Sequence, residues 1–402
     1  MKFAHLADLH LGGWRIPALQ QLGMEAFKRA IAYCISQEMN FVLISGDIFD
    51  SAMPSIEILK ETTEQLKKLS DANIPCYVIQ GSHDYSVSGK SFIDVLEKAG
   101  LCINASRISI EKDRVVAELL DEKSVAIAGV PGKKAGLDKE LLAMLFVNGN
   151  TTNDKLKIFM FHSALNDTVN DIGKGIFLDG IDVAHLPQGF DYYAAGHVHA
   201  RKELKKGDKL VIYPGPLFPN NFAELEKLKH GGFVVVESKE STKKAKELTY
   251  ERVELNLKDV VVIETNVDGM NAEQARAAIV NLFSQDEKIK DKIVLLRISG
   301  TLASGKTSDV LLGLEEAAKR AGAFCLLRNT EKLSSKELEI KIEVKESSIE
   351  QIEQKLLSPL PSVAKKLFDV LSMEKQESEK VLTFESRLTE AALKALNLED
   401  KI

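Results

Sequence analysis

Cysteine is scarce in this chain of 402 residues: Cys34, Cys76, Cys102 and Cys325 are the only four, with no Cys-x-x-Cys pair and no zinc spacing. That excludes a disulfide framework and a thiolate-held structural zinc, and leaves Cys34 and Cys76, in apolar surroundings, as small core hydrophobes. No apolar run approaches the roughly 18 residues of a membrane-spanning helix. The N-terminus enters an apparent strand at Lys2 without a basic-then-apolar signal segment, so the expectation is a reduced, soluble, cytoplasmic protein with no membrane partner. Excess positive charge is missing too: 53 Lys and Arg against 59 Asp and Glu give a net charge of −6. Any nucleic-acid binding must then be local, through metal ions or a few placed basic side chains. Internal repeats are absent.

What the chain does have is length for two or three domains, and a well-cored composition of 45% hydrophobic and 28% charged residues. Short apolar runs alternate with amphipathic stretches in the first half. Strands are expected at 2–7, 41–45, 76–80, 124–130, 156–161, 192–195, 210–213 and 232–236, with helices at 19–37 and 55–69. Unbroken apolar runs separated by helices indicate an α/β layered domain whose sheets are covered on both faces. Near Leu255 the pattern changes to a β-α-β-α-β series, with Asn271 as N-cap of its first helix and a second helix over 308–321 ending at Gly322. From about Ser347 the chain is helical and charged, with apolar stripes at Ile349–Leu357, Leu367–Leu371 and Leu388–Leu396. The expected domains are 1–255, a smaller α/β unit at 256–346, and a helical extension at 347–402 that packs back or binds a partner.

The chemistry sits where strands end. Asp8-Leu9-His10 follows the first strand, Gly46-Asp47-Ile48-Phe49-Asp50 the second and Gly81-Ser82-His83-Asp84 the third, each about one βα unit apart. Equally spaced parallel strand ends lie side by side on one sheet edge, where α/β sheets build their sites. Further on, His162 closes an apolar strand, and Gly196-His197-Val198-His199 follows another. In extended chain i and i+2 point the same way, which predicts that Asp8 and His10, and likewise His197 and His199, project together. A single histidine after a strand is more often a structural residue. Five of the eight histidines, with two spaced acids, are harder to explain so, because unpaired buried charges and imidazoles cost several kcal/mol each. An Asp/His set without Cys suits a pair of divalent ions such as Mn²⁺, Fe or Zn²⁺, with Asp47 as the shared ligand.

These motifs, in this order and spacing, resemble the calcineurin-like metallophosphoesterases over about the first 240 residues. Within them the opening Met1–Gly12, the Gly46–Asp50 element and Tyr213-Pro214-Gly215-Pro216 are similar to the SbcD-type nuclease subunit of double-strand-break repair. The resemblance implies a layered β-sandwich metallophosphoesterase domain flanked by helices, a smaller capping domain and a helical C-terminal extension. It also implies two divalent metal ions, Mn²⁺ by preference. Asp8, His10, Asp47 and His199 would hold one ion, and Asp47, Ser82, His162 and His197 the other. His83 would act beside the scissile phosphate, with Asp84 orienting its imidazole. Asp50 stands where bacterial-type members carry Asp, and a local loop role competes with a direct one. Ser82 departs from the family's Asn, and a shorter neutral hydroxyl is the poorer ligand. The implied partners are DNA, an SbcC-type SMC-like ATPase and a second copy of the chain.

Weaker signals surround these. Arg15, Lys90, Arg201 and Lys202 could meet DNA phosphates, against the plainer reading of solvated charges. Trp14 and Tyr85 could stack on a base or simply pack. His5, His185 and His230 lack a partner pattern and read as structural. Gly300–Thr307 satisfies the Walker A expression, but the chain after it is too short for an NTPase sheet, and no following strand ends in a magnesium-binding acid. A glycine-rich strand-to-helix loop is the better reading. The functional expectation is a two-metal DNA exo/endonuclease. The rivals are a phosphoesterase for phosphomonoesters or cyclic nucleotides, and a DNA-end-binding scaffold subunit with weakened catalysis.

Overall fold

Phe41-Val42-Leu43-Ile44-Ser45 is buried at all five positions, which a strand achieves only when both faces of its sheet are covered. The computed structural model describes residues 1–85, 91–111, 114–132, 141–149, 151–152, 154–169, 180–207, 209–239, 247–285, 287–336, 362–373 and 381–396. By contacts the chain divides into Met1–Ser335 and Lys336–Ile402.

Two six-stranded sheets dominate the first unit. One has β1 (Lys2–Leu6), β2 (Phe41–Ser45), β3 (Cys76–Ile79) and β4 (Ile103–Asn104) in parallel, with β14 (Gly231–Lys239) antiparallel beside β1 and β15 (Glu247–Leu255) antiparallel beside β14. In the other, β8 (Val125–Gly129), β10 (Leu156–His162), β11 (Tyr192–Gly196) and β13 (Lys209–Tyr213) run parallel. Its antiparallel edges are β7 (Leu120–Asp121) and β12 (Lys202–Lys206). Side chains of period two divide the cores. Phe3, Leu43 and Tyr77 of the first sheet pack with Ile158, Met160 and Tyr192 of the second, whereas Ala4, Leu6, Val42 and Ile44 face the helices.

Helix α1 (Pro17–Ser36) starts on a proline at its first turn and buries Leu19, Phe27, Ala30, Ile31 and Cys34 on one stripe. Helix α2 (Ile56–Asp71) is capped by Ser55, whose hydroxyl accepts from Ile58 N at 3.3 Å, a contact typically worth about 1 kcal/mol. Helix α3 (Phe92–Lys98) opens with a capping box formed by Ser91 and Asp94. Cys34, Cys76 and Cys102 are buried and unbridged, and burial pushes the Cys34 thiol up to about 12, which makes it inert packing material.

A small sheet of β5 (Ile108–Glu111), β6 (Arg114–Glu118) and β9 (Leu145–Asn148) lies in the first unit; its short, half-exposed strands carry little sequence signal. The parallel sheet β16 (Val260–Asn266), β17 (Ile293–Leu302) and β18 (Cys325–Ser335) follows. Strand β17 serves two cores: Ile293 and Leu295 join the one beneath α1 and α2, and Val294, Leu296 and Ile298 pack with helix Ala272–Gln285. Arg297 grips Glu226 bidentately at 2.7 and 2.6 Å, tying this sheet to the helix Phe222–Leu228.

The single helix expected over 308–321 is instead two, Thr307–Val310 and Leu314–Arg320, split where Gly313 turns left-handed at φ 70°. In the Walker-like segment, Gly300 to Leu302 belong to β17. Thr301 N is spent on Asp268 Oδ1 at 2.9 Å, and the Ser304 carbonyl accepts from Ala272 N. The second unit contributes the helices Ser362–Leu371 and Val381–Ala395; the stripe at 349–357 and the segment 374–380 lie outside the described residues. Among the described residues no helix is long and apolar enough to cross a membrane.

Candidate metal centre

The parallel strands of both large sheets deliver their carboxyl ends to one seam. Past β1 and β2 the two chains continue side by side: Asp8 N donates to Gly46 O at 3.2 Å, His10 N to Asp47 O at 3.0 Å and Leu11 N to Ile48 O at 3.0 Å. Convergence does not arise from strand alternation, as the i, i+2 argument supposed. Asp8, His10, Asp47 and His197 all stand outside the strands in left-handed backbone, at φ 52°, 43°, 50° and 84°. Each such non-glycine residue costs about 1–2 kcal/mol, and concentration of this strain at one point marks a functional site.

Ligating atoms of Asp8, His10, Asp47 and His199 lie within 4.8 Å of one another. Asp47 is central: its Oδ2 is 3.1 Å from His162 Nε2 and 3.6 Å from His10 Nε2, while Oδ1 accepts from His83 N at 2.8 Å. His162 is buried, its Nδ1 2.8 Å from the Ser45 carbonyl. Gly46 and Gly196 make room for that ring, because a Cβ on either would strike its Nδ1. The His197 ring lies 5.2 Å from that of His162, and its backbone N–H donates to Asp8 Oδ1 at 2.9 Å. Ser82 occupies the turn just before His83, half-buried.

The electrostatics follow from this crowding. Burial would lower the His162 pKa, but the Asp47 carboxylate beside it wins and lifts it to about 10. His199 is likewise opposed by burial and raised to about 9, chiefly by its hydrogen bond to Glu224. Asp47 is itself held well below the usual carboxylate range by His162 and His10, against its burial. These side chains suit a divalent cation. Asp8 Oδ2 is buried without a hydrogen-bond partner among the described residues, a costly state for an anion unless a cation meets it. The Asp/His donor set, without Cys, has the ligand chemistry of Mn²⁺, Fe or Zn²⁺.

Two expectations are corrected. Asp84 does not orient His83; its carboxylate accepts the backbone amides of Ile48, Phe49 and Gly81 at 3.2, 3.0 and 2.9 Å, shaping the loop that carries Asp47. Burial, then Asp47, lifts its carboxyl to about 6. The His83 ring is held by the Asp50 carbonyl, 2.7 Å from Nδ1. Asp50 also earns a place: its Oδ1 lies 3.1 Å from His10 Nδ1, and that contact holds its carboxyl below the ordinary range. Of the basic residues, Arg15 is exposed, Arg201 is engaged by Glu254 and the His230 carbonyl, and Lys90 lies outside the described residues. Trp14 donates its indole N–H to Pro219 O at 2.9 Å. His5 is a buried core residue between Tyr192 and Ser45.

Sequence reasoning missed Glu224, whose Oε1 is 2.8 Å from His199 Nδ1. Asn221-Phe222-Ala223-Glu224 reads as an ordinary capping pattern, and Asn221 Oδ1 does accept from Glu224 N at 2.9 Å, so nothing local announces the contact with His199.

The family model for calcineurin-like phosphoesterases matches residues 1–201. Among curated relatives, the DNA double-strand break repair protein Mre11 of Methanococcus maripaludis is 28% identical over 242 residues, covering 58% of this chain and 61% of that protein. The protein of the same name from Archaeoglobus fulgidus is 28% identical over 242 residues, 57% of this chain and 52% of its own length. That of Sulfolobus acidocaldarius is 24% identical over 321 residues, 78% of each. The chain thus spans between half and two thirds of the first two relatives.

Proposed function

The chain belongs to the calcineurin-like phosphoesterase family, and on that premise we propose that it is a DNA nuclease using two divalent metal ions, Mn²⁺ by preference. The observation that carries the reading is the position of Asp47, whose Oδ2 lies 3.6 Å from His10 Nε2 and 3.1 Å from His162 Nε2, with a ligand atom of His199 in the same cluster as those of Asp47 and His10. Asp8, His10, Asp47 and His199 would hold one ion, and Asp47, Ser82, His162 and His197 the second. Bound there, such ions supply Lewis acidity toward a phosphodiester and a nucleophile at neutral pH.

The protein's own groups do the positioning. With Nδ1 engaged by the Asp50 carbonyl, His83 keeps Nε2 for a proton, which suits it to protonate the leaving oxygen of a phosphodiester. Asp84 keeps the Asp47 loop in register from behind. DNA as substrate, in break repair, is supported by the relatives, which are DNA double-strand break repair proteins. With a net charge of −6, contact with DNA must be local, Arg15, Lys90 and Arg201 being the candidates from the sequence. An SbcC-type ATPase docking on the C-terminal helices, a homodimer and a cytoplasmic setting complete the reading.

Purified protein is expected to degrade linear DNA with added Mn²⁺, and Asp47→Ala to lower the rate by on the order of 10³-fold or more. DNA left intact while a nitrophenyl phosphate ester or cyclic AMP is hydrolysed would move the substrate to small phosphoesters. Equal rates for parent and Asp47→Ala would end the hydrolase reading.

A further inference from the structure

Two of the inward-facing imidazoles are held by carboxylates: His10 Nδ1 by Asp50 at 3.1 Å and His199 Nδ1 by Glu224 at 2.8 Å. One residue touches both carboxylates. Asn220 donates its side-chain amide to Asp50 Oδ1 at 3.2 Å and its backbone N–H to Glu224 Oε2 at 2.8 Å. The helix it precedes does not need it, because Asn221 supplies the cap. The brace is tightly fitted: a Cβ on Gly13 would lie 2.8 Å from Asp50 Oδ1 and nearer still to Asn220 Oδ1. Trp14, the next residue, fastens its own loop to the one that carries Asn220 by donating to Pro219 O.

We infer that Asn220 is a positioning residue that ties Asp50 to Glu224 and so holds His10 and His199 with both Nε2 atoms turned to one point, where they stand 3.0 Å apart. The inference rests on the metal-centre reading, since hydrogen-bonded partners behind histidine ligands fix which ring nitrogen is offered, and losing one typically weakens binding about 10–100-fold. The two arms of Asn220 are chemically separable. Truncation to alanine removes the amide arm to Asp50 and leaves the backbone arm to Glu224, so the effect should fall on His10 and spare His199.

The test uses the full chain in three forms: parent, Asn220→Ala and Gly13→Ala, the last crowding the brace from the other side. Mn²⁺ binding is titrated by electron paramagnetic resonance, and the imidazole tautomers of the metal-free protein are read by ¹⁵N NMR. Both variants are expected to bind Mn²⁺ about 10-fold more weakly and to lose the fixed Nδ1–H tautomer at His10, with His199 unchanged in Asn220→Ala. A merely structural role would lower the melting temperature without singling out His10. Parental affinity together with a parental His10 tautomer in Asn220→Ala would overturn the inference. Failure of the parent to bind Mn²⁺ would instead sink the metal-centre reading, and the tautomer measurement would still decide whether Asn220 sets His10.

Discussion

His162 and His199 both turn Nε2 toward the same seam, yet they are held there by different means. The inner histidine, His162, is fixed by the Ser45 carbonyl and hemmed in by Gly46 and Gly196, with its side chain fully buried. The outer histidine, His199, is 26% exposed and fixed by the carboxylate of Glu224. Backbone carbonyls cannot be deleted by substitution, so the inner half is set by the packing of the two sheets. The outer half depends on side chains and is therefore tunable. A site of this design has a rigid half and an adjustable one.

Attacking the inner half through its glycines should do most damage. Gly196→Ala drives a Cβ into the Ser45 carbonyl and the His162 ring, and is expected to cost about 3 kcal/mol, seen as a lower urea midpoint. A parental midpoint would break the contrast, showing that the inner half can yield.

Proton competition comes next and should affect both halves. In the metal-free protein the neighbouring carboxylates raise His162 to about 10 and His199 to about 9, so a metal ion must displace their protons at neutral pH. Mn²⁺ affinity should rise about tenfold per pH unit for each proton released between pH 6 and 8, measured by calorimetry in buffers of different ionisation enthalpy. Because both folded values lie above the unfolded 6.5, their contribution to stability is complete below pH 6.5 and is lost as pH rises through about 9 to 10. The metal-free protein should therefore melt lower at pH 10 than at pH 7. Invariant affinity across pH 6 to 8 would mean that neither imidazole is a ligand.

Glu224→Gln attacks the outer half alone. The contact can persist while its charge is lost, so Mn²⁺ should bind about tenfold more weakly, and the metal-free protein should lose at pH 7 the stability that the raised His199 pKa supplies, its urea midpoint falling there and not at pH 10. Parental Mn²⁺ affinity would make Glu224 a structural residue. The smallest effect belongs to Ser82→Asn, which restores an amide oxygen and should tighten the second ion by roughly tenfold or less; no change in metal stoichiometry or rate would remove Ser82 from the ligand set.

Much of the fold was legible because its signals are local. The buried runs at Phe41–Ser45, Leu156–His162 and Tyr192–Gly196 announce covered parallel strands, and Ser55 announces the start of α2. Less legible were β15, which alternates weakly and is stabilised by pairing along β14, and the break at Gly313, which needs only one residue to turn left-handed. In the site, Asp8, His10, Asp47, His162 and His199 stood out by spacing. Asp84 was misread because the backbone amides that donate to its carboxylate, those of Ile48 and Phe49, come from a loop 36 and 35 residues away.

Residue type and order along the chain determined which side chains could meet a cation and which strand ends would carry them, since both depend on periodicities of two and of one βα unit. Only the tertiary structure decided how they meet: through left-handed loops rather than strand alternation, with Glu224 and Asn220 behind them. The physical reason is that a hydrogen bond between residues 25 or 170 positions apart is set by how sheets and loops pack, and no local pattern in the chain encodes that distance.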